Sequence, residues 1–274
     1  MGTMDGRVAF ITGVARGQGR SHALRLASEG ADIVGIDICA QMPEVRYPMG
    51  TLEELEETKN LIEKHGRRAL LSQGDVRDHA QVQAAFDAGV AELGKIDTVL
   101  ANAGIVLTAL EEDDAAAEWK AGIDVMLTGV WNTIHVAVPH LKTVEGPKSL
   151  VVTSSTAGLM CVTDEHGGSD AYMAAKLAVT GLVKAYAQLL GPFDTNVVGI
   201  APTGVNTPMV GGNPELFKVI ESNPALVDAM ANAMPVPILE PGDVSELVHF
   251  LVQGPGRYIS GTTVVFDAGA MSRR

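Results

Sequence analysis

The chain has 274 residues, 46% hydrophobic and 19% charged, with a formal net charge of −13 at pH 7. So acidic a protein is a poor partner for nucleic acid or for an anionic membrane surface, since both require a basic face. No uncharged apolar run of about 18 residues reads as a membrane span. The N-terminus enters a strand-like run without a signal-peptide pattern, so the expectation is cytoplasmic; Cys39 and Cys161 offer neither a disulfide framework nor a zinc site.

In chain order, "RVAFIT" (7–12) reads as a strand, followed by a glycine-punctuated turn and the helical "GRSHALRLASEG" (19–30). "ADIVGID" (31–37) is a second strand. "TLEELEETKNLIEKHG" (51–66) is helical, with early glutamates and a late lysine and histidine that suit the helix dipole. A third strand (68–76), a helix (79–94) and a fourth strand (96–104) follow. The spacing predicts one long helix over roughly 113–142, then a strand at 149–155, a helix containing 170–179, and a strand at 195–202. "PGDVSELVHFLVQ" (241–253) opens with helix-start residues, and "TTVVFDAG" (262–269) supplies a last strand.

Such β–α alternation with buried-type strands specifies a parallel sheet covered by helices on both faces. The expectation is α/β, a single-domain Rossmann fold over residues 1–274 with seven strands in the order 3-2-1-4-5-6-7. Two stretches depart from minimal alternation: an insert at 39–50 and a Pro- and Met-bearing segment at about 203–240. "TGVARGQG" sets Gly13, Gly17 and Gly19 between the first strand and first helix, where backbone N–H groups can approach a pyrophosphate. Asp37, at the end of the second strand, can accept from a ribose 2′-hydroxyl and would repel a 2′-phosphate. The cofactor expected is therefore NAD. Arg16 dissents, because a cation in the loop welcomes phosphate; Asp37 carries more weight.

Tyr172 and Lys176 stand four apart, on one face of a helix otherwise built of small apolar residues. They are either a surface pair or an acid–base device. A phenol with pKa of about 10 is a poor base, and a nearby ammonium favours its ionised form. With T-G-x-x-x-G-x-G, "GDV" (74–76), "ANAG" (101–104) and "TSS" (153–155), the pair resembles the short-chain dehydrogenase/reductase family over essentially the whole chain. The resemblance implies Ser155, Tyr172 and Lys176 as catalytic residues, with Tyr172 and Lys176 also touching the cofactor. It implies cofactor contacts from Gly13, Arg16, Gly17, Gln18, Gly19 and Asp37, from Asp75 and Val76 at the adenine, and from Asn102, Ala103 and Gly104 at the central strand. In "PTGVNTP" (202–208) it implies Val205 and Thr207 at the nicotinamide carboxamide, with Pro202 also at the cofactor.

The 39–50 insert, "TSSTAGL" and "PTGVNTPM" narrow the resemblance to the mycofactocin-coupled, carveol-dehydrogenase-like branch. That branch implies oxidation of an apolar, terpenoid-like secondary alcohol, tightly held NAD under the insert, a redox peptide (mycofactocin) as electron acceptor, and a homotetramer. The insert is either such a lid or a tolerated surface insertion. A free-NADH ketone or acyl-thioester reductase, and a catalytically weak NAD-binding sensor, remain alternatives. One departure bears on the last: "DVMLTG" puts Met126 where the family usually has an asparagine that anchors a proton relay, and since a thioether cannot replace an amide, either the proton leaves by another route or catalysis is weak.

The loop 160–170 between serine and tyrosine either lines the pocket, contacts a partner or is solvated. Its Asp164, Glu165 and His166 find no further ligands, so no catalytic metal is expected. Met209, Leu216, Phe217, Ile220, Leu226, Met230 and Met234 have helical spacing that suits either an adaptable cover over an apolar substrate or simple packing on the domain.

Overall fold

In the computed structural model, described for residues 2–107, 114–161 and 163–273, seven parallel strands form one sheet in the order β3-β2-β1-β4-β5-β6-β7. They are β1 (Val8–Thr12), β2 (Asp32–Asp37), β3 (Ala69–Gln73), β4 (Thr98–Ala101), β5 (Lys148–Thr153), β6 (Thr195–Pro202) and β7 (Thr263–Phe266). β1, β2, β4, β5 and β6 are buried along their whole length, which is why they read as continuous apolar runs. The expected strand order holds. It places the topological switch between β1 and β4, where a crevice opens beyond the strand ends.

On one face lie α1 (Gly17–Ser28), α2 (Leu52–Glu63) and α10 (Pro241–Val252); on the other lie α3 (His79–Leu93), α4 (Ala115–Ile123), α5 (Gly129–Leu141) and α7 (Gly167–Leu190). Boundaries follow local chemistry. Thr51 and Glu54 form a capping box at the start of α2. Asp78 caps α3 through Ala80 and Gln81, and Gly94 closes it in the left-handed region.

The long helix expected over 113–142 is continuous from Ala115 to Leu141 but not uniform; residue 113 lies outside the described residues. A π turn, Asp124–Thr128, separates α4 from α5, and the Gly129 N–H donates to the Asp124 carbonyl five residues back. Such turns are rare and often mark functional sites. By length and composition this 27-residue helix is apolar enough to cross a membrane, but 61% of its apolar window is buried inside the protein. It is a core helix. The segment after β6 folds into α8 (Pro214–Ser222) and α9 (Pro224–Met230), and the short α6 (Thr156–Met160) follows β5.

Candidate active site

At the switch point, the Thr12 hydroxyl accepts from the Asn102 and Ala103 amides at 3.1 and 3.2 Å, and the Asn102 amide donates to the Thr12 carbonyl at 3.0 Å. These bonds tie the glycine turn to the end of β4. Gly13 has φ of 71°, and a Cβ on Gly19 would lie 1.9 Å from the Gly13 carbonyl oxygen. Only glycine permits that closeness between turn and helix. The resulting groove, open to solvent, spans about 880 Å³, and Gly13, Arg16, Gly17, Gln18, Gly19, Asp37, Asp75, Val76, Asn102, Ala103 and Gly104 all line it. Gln18 Oε1 is buried in its wall and has no hydrogen-bond partner among the described residues.

Asp37 is oriented by two backbone donors, Ala15 N at 3.0 Å and Cys39 N at 3.2 Å. Asp75 is held by Arg77 through both carboxylate oxygens. Arg16 does not stand free as a phosphate lure. Its guanidinium donates to the Pro48 carbonyl and lies 3.9 Å from the Glu54 carboxylate, so its charge is directed at the insert and α2.

The 39–50 insert is not a loose surface loop. Met42, Val45 and Tyr47 are each at most 4% exposed. The Gln41 amide donates to the Met42, Val45 and Tyr47 carbonyls, at 3.2, 2.6 and 3.3 Å, and its carbonyl accepts from Met49 N at 3.1 Å. Met42, Tyr47 and Met49 line the groove. The Tyr47 hydroxyl accepts from Val106 N at 3.3 Å, and burial pushes that phenol up to about 12.

A second, more apolar cavity of about 1250 Å³ shares Gln18, Asn102, Gly104 and Thr207 with the groove. Ser155, Tyr172, Lys176, Pro202 and Val205 line it, so every catalytic and cofactor residue expected from sequence borders one of two adjoining spaces. Ser155 caps α6, accepting from Ala157 N at 3.2 Å. Lys176 is 4% exposed; its ammonium donates to the Thr153 carbonyl at 2.7 Å and lies 5.8 Å from the Tyr172 ring centroid.

Electrostatics differ here from the simple expectation that lysine makes tyrosine basic. Burial raises the Tyr172 phenol above its ordinary value, a hydrogen bond with Ser155 only partly opposing it. Burial also lowers Lys176 to about 8, as desolvation disfavours both charged forms. Met126 lies in the π turn, fully buried in the apolar cluster beneath α5 and α7.

The 203–240 segment divides. Met209, Leu216, Ile220 and Leu226 line the second cavity, whereas Phe217 and Met234 are 43% and 58% exposed and do not; the Met230 side chain lies outside the described residues. Met160, Asp164 and Ser169 bring the 160–170 loop into the wall, so for Asp164 the solvated alternative is wrong. Tyr47, Val210 and Val219 also border the site. For Val210 and Val219 the helical apolar spacing was the available signal; for Tyr47 there was none beyond its place in the insert.

A glycine-turn dinucleotide groove opening onto a Ser–Tyr–Lys constellation defines a dehydrogenase of the short-chain type, and the chain belongs to the short-chain dehydrogenase/reductase family. The family model described as enoyl-(acyl carrier protein) reductase matches residues 13–271. The (−)-trans-carveol dehydrogenase of Rhodococcus erythropolis is 42% identical over 277 residues, covering 98% of this chain and 99% of that one. Among solved structures, carveol dehydrogenase from Mycobacterium avium in complex with NAD is 39% identical with a TM-score of 0.90, covering 99% of this chain and all of that one. A short-chain dehydrogenase from Mycobacterium paratuberculosis bound to NAD is 35% identical with a TM-score of 0.91, at the same coverage.

Proposed function

We propose that this protein oxidises an apolar secondary alcohol, of the size and character of a cyclic terpenoid such as carveol, to the ketone, using NAD. The observation that carries the reading is the junction of the two cavities. The glycine turn and Asp37 line one, Ser155, Tyr172 and Lys176 line the other, and Asn102 and Gly104 border both. The groove fits a dinucleotide: it has a cradle that a side chain at Gly13 or Gly19 would obstruct, an oriented carboxylate for a ribose hydroxyl, and an orphaned Gln18 oxygen. Arg16, committed to Pro48 and Glu54, favours NAD over its 2′-phosphorylated form.

When bound, NAD supplies the hydride acceptor. Tyr172 takes the hydroxyl proton, while Ser155 donates to the substrate oxygen and holds it beside the phenol. Lys176, buried beneath Tyr172, supplies positive charge that favours the phenolate as it forms. The apolar wall excludes water and selects a substrate with little polar surface.

The reading extends to a tightly held cofactor re-oxidised by an external redox peptide of the mycofactocin kind. The buried insert beside the groove supports retention. Homotetramer assembly through the long helices and the C-terminal strand region also belongs to it, supported by Trp119, Trp131, Phe250 and Val265, which are apolar yet 39–43% exposed on those elements.

The test is purification followed by absorbance and mass measurement of retained nucleotide. Carveol should reduce bound NAD once per site, with turnover only on adding an artificial electron acceptor. Repeated turnover with added NAD alone would favour a freely exchanging cofactor. Absence of hydride transfer across a panel of cyclic secondary alcohols would contradict the proposed activity.

A further inference from the structure

Four residues of α7 line the second cavity: Ser169, Tyr172, Met173 and Lys176. Their spacing of i, i+3, i+4 and i+7 is one stripe of an α-helix, so the side chain at 169 faces the same space as the Tyr172 phenol. Ser169 is half-buried, its hydroxyl makes no hydrogen bond with any described residue, and its oxygen stays open to solvent in the cavity. Other hydroxyls in the wall are committed to the protein. Ser154 donates to the Lys176 carbonyl at 2.6 Å, Thr156 to the Pro202 carbonyl at 3.3 Å, and Thr203 to Asn232 Oδ1 at 3.0 Å.

The ordinary reason for a serine in the first turn of a helix is capping, and here that reason fails. Neither Ser169 nor the flanking His166 makes a side-chain capping bond. What surrounds the free hydroxyl is apolar, with Met160, Met173, Leu216, Val219 and Ile220 in the same wall. An apolar molecule filling this space displaces water from Ser169 and leaves its hydroxyl unsatisfied, unless the molecule brings a polar atom to it.

We infer that Ser169 is a specificity-determining residue whose hydroxyl donates a hydrogen bond to a second oxygen of the substrate, a ring carbonyl. Position 169 precedes 172 by three residues, roughly 4.5 Å along the helix axis at about 1.5 Å per residue. With the carbinol oxygen at Tyr172, the second oxygen falls across a six-membered ring from it. A carbonyl suits the place better than a hydroxyl. The site offers a donor beside the positive end of the 24-residue α7, and a carbonyl oxygen brings no proton that needs its own acceptor. The substrate class is then a cyclic hydroxyketone on an otherwise apolar skeleton. Oxidation moves the carbinol hydride to NAD and the hydroxyl proton to Tyr172, giving a diketone, and the remote carbonyl is unchanged. This rests on the dehydrogenase reading above and narrows it.

The experiment compares 4-hydroxycyclohexanone, cyclohexane-1,4-diol and 4-methylcyclohexanol in the NAD-loaded wild type, Ser169→Ala and Ser169→Thr. Measured against 4-methylcyclohexanol, the wild type should favour the hydroxyketone about fivefold more than Ser169→Ala does in kcat/KM, with the difference in KM rather than kcat. Ser169→Thr keeps the hydroxyl and should keep the preference. Calorimetric binding of the same compounds reads the preference without turnover. An equal hydroxyketone-to-methylcyclohexanol ratio in the wild type and Ser169→Ala would overturn the inference, while oxidation of 4-methylcyclohexanol by both would leave the dehydrogenase reading intact. A Ser169-dependent preference for the diol over the hydroxyketone would overturn the assignment of a carbonyl.

Discussion

Tyr172 and Lys176 are both desolvated, and this sets the direction of the pH response. The proton acceptor in alcohol oxidation is the phenolate, and burial makes it scarce by raising the phenol's pKa. Single-turnover oxidation should therefore rise from neutral into alkaline pH while ketone reduction falls. The rise should flatten above about 8, where Lys176 loses its proton and its help to the phenolate. A pH-independent oxidation rate would contradict this. At Met126 the expected trade is between rate and stability. Met126→Asn should raise steady-state turnover several-fold by restoring an amide to the buried π turn. It should also cost about 1–3 kcal/mol in denaturant unfolding, because an amide replaces a thioether in an apolar cluster. Equal turnover and pH profiles in both proteins would remove the relay explanation. Sequence made Tyr172 and Lys176 legible because a four-residue spacing sets them on one helix face, whereas Ser155 was legible only through the family resemblance. Sequence did not show that Asp164 is buried, since a run of Asp, Glu and His looks the same in solvent as in a cavity wall.

Among the elements, the insert is where local chemistry and tertiary packing combine. Its order comes from one side chain, Gln41, bonding three carbonyls and one amide, a pattern without a sequence signature. From residue types alone a lid and a tolerated surface insertion were equally readable; burial of Met42, Val45 and Tyr47 excludes a loose loop. Tyr47 joins the insert to the loop after β4 through Val106, a residue that borders the second cavity. Tyr47→Phe should accelerate release of the reduced cofactor, NADH, about fivefold, the equivalent of about 1 kcal/mol, as followed by its stopped-flow fluorescence. An unchanged release rate would mean that the insert is held without this bond. The long helix teaches the complementary lesson. Its apolar periodicity predicted one helix, but periodicity does not distinguish a π turn from an α turn, and that local change sits at Met126.

Over the whole molecule, the strand order and the switch-point crevice followed from alternation of buried strands and helices, a long-wavelength signal that survives errors at individual boundaries. What did not follow was the joining of distant elements. His22 on α1 is 1% exposed and bonds Ser245 on α10 at 2.8 Å, uniting the first and last helices of the same face. Burial lowers its pKa from 6.5 to about 4. The unfolded chain then binds the extra proton first, so stability is fully present above 6.5 and is lost as pH falls through 4. The loss amounts to about 3 kcal/mol over that window. Urea unfolding of His22→Asn should show a shallower acid limb than the wild type, and identical slopes would rule out His22 as its source.

The most direct measurement of the central claim is single-turnover hydride transfer from a secondary alcohol to bound NAD in Tyr172→Phe. The expected result is a rate lower by about a thousandfold with nucleotide binding intact, since the ring remains and only the proton acceptor is gone. An undiminished rate would contradict the assignment of this phenol as the base.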